Sequence, residues 1–338
     1  MNKKRVLAML LAGAMALSMT ACGGNSASTD GSSNDGGASA SGGSYKVSVI
    51  LKTLAAEYWQ YVKSGAEDYA SEHSDKVTVE VKGPSSETAF DEMQNMIETD
   101  LSSGTYDGIV ISPLQSDTAA QLVSGTKLPI VAIDTNFTAP EVKSFVGTGN
   151  EAAAKKGGEA AVEAAKAAGW TDIKCIEIAG VQGDQTNTAR MNGYKAGVEE
   201  AGGTFLSDEV QYADATADRA TTAMEAIMQT HPEGIAIICA NNDDMAMAAA
   251  RAAQGHDAYK NTIFLGFNGD RAACEAILDG QMTMSVAQMA YEMGYKAVET
   301  MVQVLDGETV DEFVDSGSDV VTPDNAQERL DTLKGYIG

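Results

Sequence analysis

The chain is 338 residues long, with 23 Lys and Arg against 48 Asp and Glu and a formal net charge of −25. That balance excludes nucleic acid as a partner, because such binding rests on basic side chains neutralising phosphates. Acidity is also a common route to solubility and implies nothing more specific.

In chain order, residues 1–21 are expected to form a signal peptide. Lys3, Lys4 and Arg5 supply a basic start, and an apolar run follows from Val6 to Met19. The run is shorter than the roughly 20 residues a membrane-spanning helix needs. Leu17-Ser18-Met19-Thr20-Ala21-Cys22-Gly23 resembles a bacterial lipoprotein cleavage box, with Met19 where leucine is usual. The resemblance implies that Cys22 is lipidated and becomes the new N-terminus. Residues 23–44 carry no apolar side chain larger than alanine, so 22–44 read as the lipidated cysteine and a flexible Gly/Ser tether. The expectation is an extracytoplasmic protein anchored to the bacterial cell membrane by its N-terminal lipid only. No later stretch could span a bilayer.

From Tyr45 onward, short apolar runs alternate with longer helical patterns, the signature of parallel βαβ units. Tyr45–Leu51 predicts a strand and Glu57–Glu72 a helix. Strands at Val77–Val81, Gly108–Ser112, Pro129–Asp134 and Ser144–Val146 follow, with helices near Ala89–Leu101 and Asp117–Val123. An alanine-rich helix, Glu151–Ala168, opens a second series. Its strands are predicted at Ile173–Ile178, Phe205–Val210, Ile235–Cys239, Thr262–Phe267 and Met282–Ala287. Its helices are predicted at Thr188–Glu200, Arg219–Gln229, Asp244–Gln254, Arg271–Leu278 and Tyr291–Leu305, before a polar tail. Two series of similar length predict an α/β protein of two similar doubly wound parallel-sheet lobes.

In such sheets ligands bind outside the carboxyl ends of the strands. The first lobe delivers Lys52 there, with Tyr58 and Trp59 behind it, then Ser112 and Asp134-Thr135-Asn136. The second delivers Asn241-Asn242-Asp243-Asp244, Asn268-Gly269-Asp270 and Gln288, and the loop from Gly180 leads to Arg190. Amides and carboxylates suit a ligand dense in hydroxyls, since each can bond two neighbouring OH groups. Two aromatic rings suit the C–H face of a pyranose. Trp59 could instead cap the core, Asn242 could cap a helix, Asn268 could be a turn residue, and Arg190 could sit in an exposed salt bridge.

Other chemistry is thinly represented. Gly147-Thr148-Gly149-Asn150-Glu151-Ala152 has dinucleotide-loop spacing, but the acid that should follow about 20 residues on is missing; no cofactor is expected. His73, His231 and His256 lie away from the strand ends, and neither zinc spacing nor a nucleophile elbow is present, so no catalytic or metal-binding residue is assigned. Cys175, Cys239 and Cys274 are expected as buried free thiols.

Several segments together resemble the type I periplasmic sugar-binding proteins of ABC transporters, the ribose- and allose-binding group. They are Val49–Trp59, Gly83–Phe90, Tyr106–Leu114, Ile237–Met247, Leu265–Asn268 and Asp279–Gln288. The resemblance spans nearly all of 45–322. It implies an N-terminal lobe of 45–148 plus 289–314, a C-terminal lobe of 149–288 plus 315–338, and a multi-strand hinge near 148, 288 and 315. It also implies a monomeric binding protein, not an enzyme, that captures a monosaccharide (a pyranose aldohexose or pentose) or a polyol by lobe closure and hands it to ABC permease subunits. By position, Lys52, Tyr58, Trp59, Asp134, Arg190, Asn242, Asn268 and Gln288 correspond to ligand contacts. Four positions depart from the family pattern. Asn268 replaces the usual Asp, Thr135 an Arg or Glu, Ala56 an Asn, and Ala215 a ring-stacking aromatic unless Tyr212 substitutes. A furanosyl signal binder of the autoinducer-2 type and a secreted sugar-acting enzyme are the alternatives. The related two-lobed repressors are disfavoured by the lipoprotein-like start and the lack of a helix-turn-helix head.

Overall fold

The structure, a computed structural model, describes residues 44–337. The signal segment, Cys22, the tether up to residue 43 and Gly338 lie outside the described residues.

The first sheet has six strands. They are β1 (Tyr45–Ile50), β2 (Val77–Lys82), β3 (Gly108–Ile111), β4 (Ile130–Ile133), β5 (Val142–Gly147) and, arriving late in the chain, β12 (Phe313–Asp315). Their order is β12-β5-β4-β3-β1-β2, parallel throughout. Strands β3 and β4 read GIVI and IVAI and are buried along their whole length, as strands covered on both faces must be. The covering helices are α1 (Glu57–Glu72), α2 (Phe90–Ser103), α3 (Ser116–Val123) and α9 (Ala290–Leu305).

The second sheet is built the same way from β6 (Lys174–Ala179), β7 (Thr204–Phe205), β8 (Gln211–Tyr212), β9 (Ile237–Ala240), β10 (Ile263–Asn268), β11 (Met284–Gln288) and β13 (Ser318–Val321). The order is β13-β11-β10-β9-β6-β7, with β8 also on β6, and only β13 runs antiparallel. Its helices are α4 (Asn150–Ala167), α5 (Gln185–Glu200), α6 (Ala217–Thr230), α7 (Asp243–Ala253), α8 (Arg271–Leu278) and α10 (Ala326–Ile337). The single strand expected over Phe205–Val210 is two short strands with a 3-10 turn at Ser207–Glu209 between them. The tail expected to be polar ends in α10, which buries Ala326, Leu330 and Leu333.

The chain passes between the sheets where β5 leads into α4, where β11 leads into α9, and where β12 leads into β13. The first and third of these crossings are tied together: Asp315 Oδ1 accepts from the N–H groups of Gly149 (3.3 Å) and Gly317 (2.9 Å). Helix α10 touches both halves of the molecule. It packs on α8 in the second, while Tyr336 stacks on Tyr291 of α9 at 4.2 Å and its carbonyl accepts from Ser64 Oγ of α1 at 2.8 Å.

Helices α1 and α9 meet backbone to backbone. A Cβ on Gly294 would overlap the Val62 carbonyl, and one on Gly65 the Tyr291 carbonyl. Overpacking a site that cannot give way typically costs 1–3 kcal/mol or more. Gly294→Ala is therefore expected to lower stability by about 2–3 kcal/mol in urea unfolding. A change within 0.5 kcal/mol would show that the helices part without cost.

Candidate functional site

All eight residues expected at the site line one cleft of about 620 Å³ between the two sheets' carboxyl ends: Lys52, Tyr58, Trp59, Asp134, Arg190, Asn242, Asn268 and Gln288. A second hollow of about 940 Å³ continues from it past Asp134, Thr135, Asp184 and Thr186.

On the first lobe, Asp134 leaves β4 with a left-handed backbone, φ 61°. A non-glycine residue is held there only by its surroundings. Its N–H donates to Val146 O at 2.9 Å. Its carboxylate Oδ1 accepts from Tyr58 Oη at 3.0 Å, Oδ2 accepts from Thr135 Oγ1 at 2.8 Å, and Lys52 Nζ lies 3.7 Å from Oδ2. The carboxylate is thus fixed before any ligand arrives. Burial, and then the Asp134 charge, raise the Tyr58 phenol well above its ordinary value, so it stays a donor.

Trp59 is only 3% exposed and stands perpendicular to Tyr58, ring centres 5.1 Å apart. Its indole Nε1 donates to Glu87 Oε1 at 2.8 Å, and the Lys52 ammonium sits 6.0 Å from the ring centre. Trp59 packs in the core and also lines the cleft.

On the second lobe, Arg190 is buried rather than in an exposed salt bridge. Its Nε donates to Asn150 Oδ1 and one terminal nitrogen to Asn241 O, both at 2.8 Å, and the guanidinium stacks 3.8 Å from the Phe267 ring centre. Five N–H donors minus these two leaves three for other partners. Asn242 is both N-cap and cleft residue. Its Oδ1 accepts from Met245 N at 2.9 Å and its Nδ2 donates to Ala215 O at 3.1 Å. Gln288 Nε2 donates to Asn268 Oδ1 at 2.9 Å, and Asn268, at φ 137°, donates to Asp270 Oδ2 at 3.3 Å. Behind them Arg329 of α10 donates to Gln288 O at 2.7 Å and Gly269 O at 3.3 Å, bracing two adjacent strand ends at once.

Ala215, where a ring would be usual, lines the cleft in a left-handed conformation, φ 59°. Tyr212 is 40% exposed and is not among the lining residues, so it does not replace that wall. The sequence reading passed over Glu57, Glu87 and Asn187, which also line the cleft. Glu57 follows Ala56 directly before the aromatic pair and reaches Arg271 of the opposite lobe at 3.5 Å. Asn187 sits inside a helix pattern, yet its Oδ1 accepts from Gly180 N at 2.6 Å and shapes the loop after β6. Six acidic side chains (Glu57, Glu87, Asp134, Asp184, Asp244 and Asp270) and two basic ones, Lys52 and Arg190, line the cleft.

Glu177 of β6 lies beneath Arg190, fully buried, and neither carboxylate oxygen accepts a hydrogen bond at ordinary geometry. Burial raises its pKa to about 8, with Asn241 and Arg190 pulling the other way.

Two lobes of this topology around a polar cleft define a type I periplasmic binding protein. The chain belongs to the periplasmic binding protein domain family, whose model matches residues 47–309. It is 30% identical over 264 residues to the D-allose-binding periplasmic protein of Escherichia coli K12, covering 75% of this chain and 82% of that one. It is 28% identical over 268 residues to the ribose import binding protein of the same organism, covering 78% and 86%. Among solved structures, a carbohydrate transporter solute-binding protein of Agrobacterium radiobacter in complex with D-arabinose shares the fold. Its TM-score is 0.73 at 24% identity, covering 87% of this chain and 99% of that one. Helix α10 lies beyond the family match.

Because the folded protein holds the Glu177 proton more tightly than the unfolded chain, stability falls as pH rises between the ordinary glutamate value and about 8. Glu177→Gln removes that loss. It is expected to raise the melting temperature at about pH 8 and to leave it nearly unchanged at about pH 4. Equal effects at both would refute the burial argument.

Proposed function

We propose that the protein is an extracytoplasmic solute-binding lipoprotein that captures a monosaccharide or polyol by closing its lobes and passes it to an ABC permease. The observation that carries this reading is the fixed Asp134 carboxylate facing Arg190, Asn242, Asn268 and Gln288 across one cleft floored by Tyr58 and Trp59. Hydroxyl-rich ligands need such alternating acceptors and donors with an apolar face. Relatives named for allose and ribose support the same class.

The excess of carboxylates favours neutral sugars over sugar acids or phosphates, which like charges would repel. The lobes are taken as 45–148 plus 289–314 and 149–288 plus 315–338, with the sheet membership of β12 and β13 in support. Rotation about the crossings would bring both sets of contacts onto the ligand together. Lipidation at Cys22 is proposed from the sequence alone.

The alternatives carry weight only through residues they share with this site. Lys52 paired with Asp134, and Asp184 in the cleft, would also suit a furanosyl signal. A sugar-acting enzyme would need two carboxylates at a bond-cleaving spacing, whereas Asp134 is already engaged by three neighbours.

Calorimetry across neutral aldoses, polyols, furanosyl signals and acidic sugars tests the proposal. A neutral sugar should bind saturably, and Asp134→Ala should weaken it roughly 10- to 100-fold, the value of a hydrogen bond to a charged group. Preference for an acidic sugar, or turnover of the sugar during the titration, would sink it.

A further inference from the structure

Asp270 sits where β10 turns into α8, two residues beyond Asn268, and lines the cleft. Its Oδ2 accepts from Asn268 Nδ2, while its Oδ1 accepts no hydrogen bond and neither oxygen has a cation within ion-pair distance among the described residues. The neighbouring cation, Arg271, is turned toward Glu57 instead. Asn268 has its own acceptor oxygen occupied by Gln288. The carboxylate with free capacity at this strand end is therefore Asp270, not the residue at 268.

We infer that Asp270 is a ligand-contact residue whose Oδ1 accepts a hydroxyl of the bound sugar, and that this contact makes binding release a proton. The inference rests on the sugar-binding reading of the cleft. Its position is built, since the Asp270 and Gly269 N–H groups both donate to Asp243 Oδ2, at 3.1 and 2.8 Å, and Arg329 holds the Gly269 carbonyl. Strain is stored here too, at Asn268.

The proton linkage follows from the surroundings. Burial first, and then the charge of Asp243, push the Asp270 carboxyl well above the usual carboxylate range, and Asp244 and Glu57 add to this. A hydroxyl donating to Oδ1 favours the ionised form. Binding therefore expels a proton and tightens as pH rises, until the free carboxyl is itself ionised. Asp243 does not take this role. It is buried behind the loop, with Oδ1 bonded by Ser285 and Oδ2 by the two backbone N–H groups. The remaining titratable neighbours, Tyr58 and Tyr61 of α1 and Cys274 of α8, are raised by burial and keep their protons. The cations on these elements are Arg271 of α8 and Arg329 of α10.

Titration calorimetry on the intact protein with D-ribose, D-allose, D-arabinose, D-fucose and myo-inositol identifies the tightest probe. With that probe, affinity should rise at least fivefold from about pH 6 to about pH 8. Runs in two buffers of different ionisation enthalpy should show proton release. Asp270→Asn should bind at least tenfold more weakly at the higher pH and lose the pH dependence. If no probe binds, the sugar-binding reading fails and the inference with it. If a probe binds without proton release, or Asp270→Asn keeps the wild-type affinity and slope, the inference alone is overturned. Proton release by the unmodified protein decides the matter even if the variant does not fold.

Discussion

Parallel pairing is the constraint on which the rest depends. When neighbouring strands run the same way, every carboxyl end opens at one edge of the sheet. The described residues make two such sheets, with only β13 reversed among them. The loops after β1, β4, β6, β9, β10 and β11 therefore collect polar side chains from distant sequence positions without any one loop being long. The hydrophobic strands supply rigidity, and the loops supply chemistry. Where a loop must bend against its residue's preference, as at Asp134, Ala215 and Asn268, the sheet behind it holds the strained backbone.

Much of this is legible in the sequence. The β1–α1 unit shows why: an alternating apolar run ending in Lys52 and a helix over Glu57–Glu72 leave little choice of where Tyr58 and Trp59 go. Asp134 directly after an all-apolar strand was equally plain. Other features had no such signal. The burial of Arg190 depends on Asn150 and Asn241, which lie 40 and 51 residues away. Helix α10 is too polar to stand out, because only three of its residues are buried. Glu57 looks like an ordinary surface acid until Arg271 of the opposite lobe is placed beside it. The break between β7 and β8 falls at Ser207–Glu209, where two acids interrupt an apolar run.

A supporting set of hydrogen bonds holds the loops that line the cleft. Asn187 shapes the loop after β6, Asp243 anchors the loop after β10, and Arg329 joins the ends of β10 and β11. None of these needs to touch a ligand to govern where the contacts point. Sites positioned through such shells lose affinity when the shell loosens, even with every contact residue intact.

Helix α10 joins elements of both lobes at a place remote from the cleft. Tyr336 leans on Tyr291 and bonds Ser64, while the same helix packs on α8. If the lobes rotate as proposed, that stack must slide or break, and its strength enters the balance between open and closed forms. Apparent affinity scales with the fraction of binding-competent molecules. On that reading a change at Tyr336 shifts apparent affinity while leaving the order of ligand preference untouched. Such a change would appear as a uniform scaling of dissociation constants across all ligands.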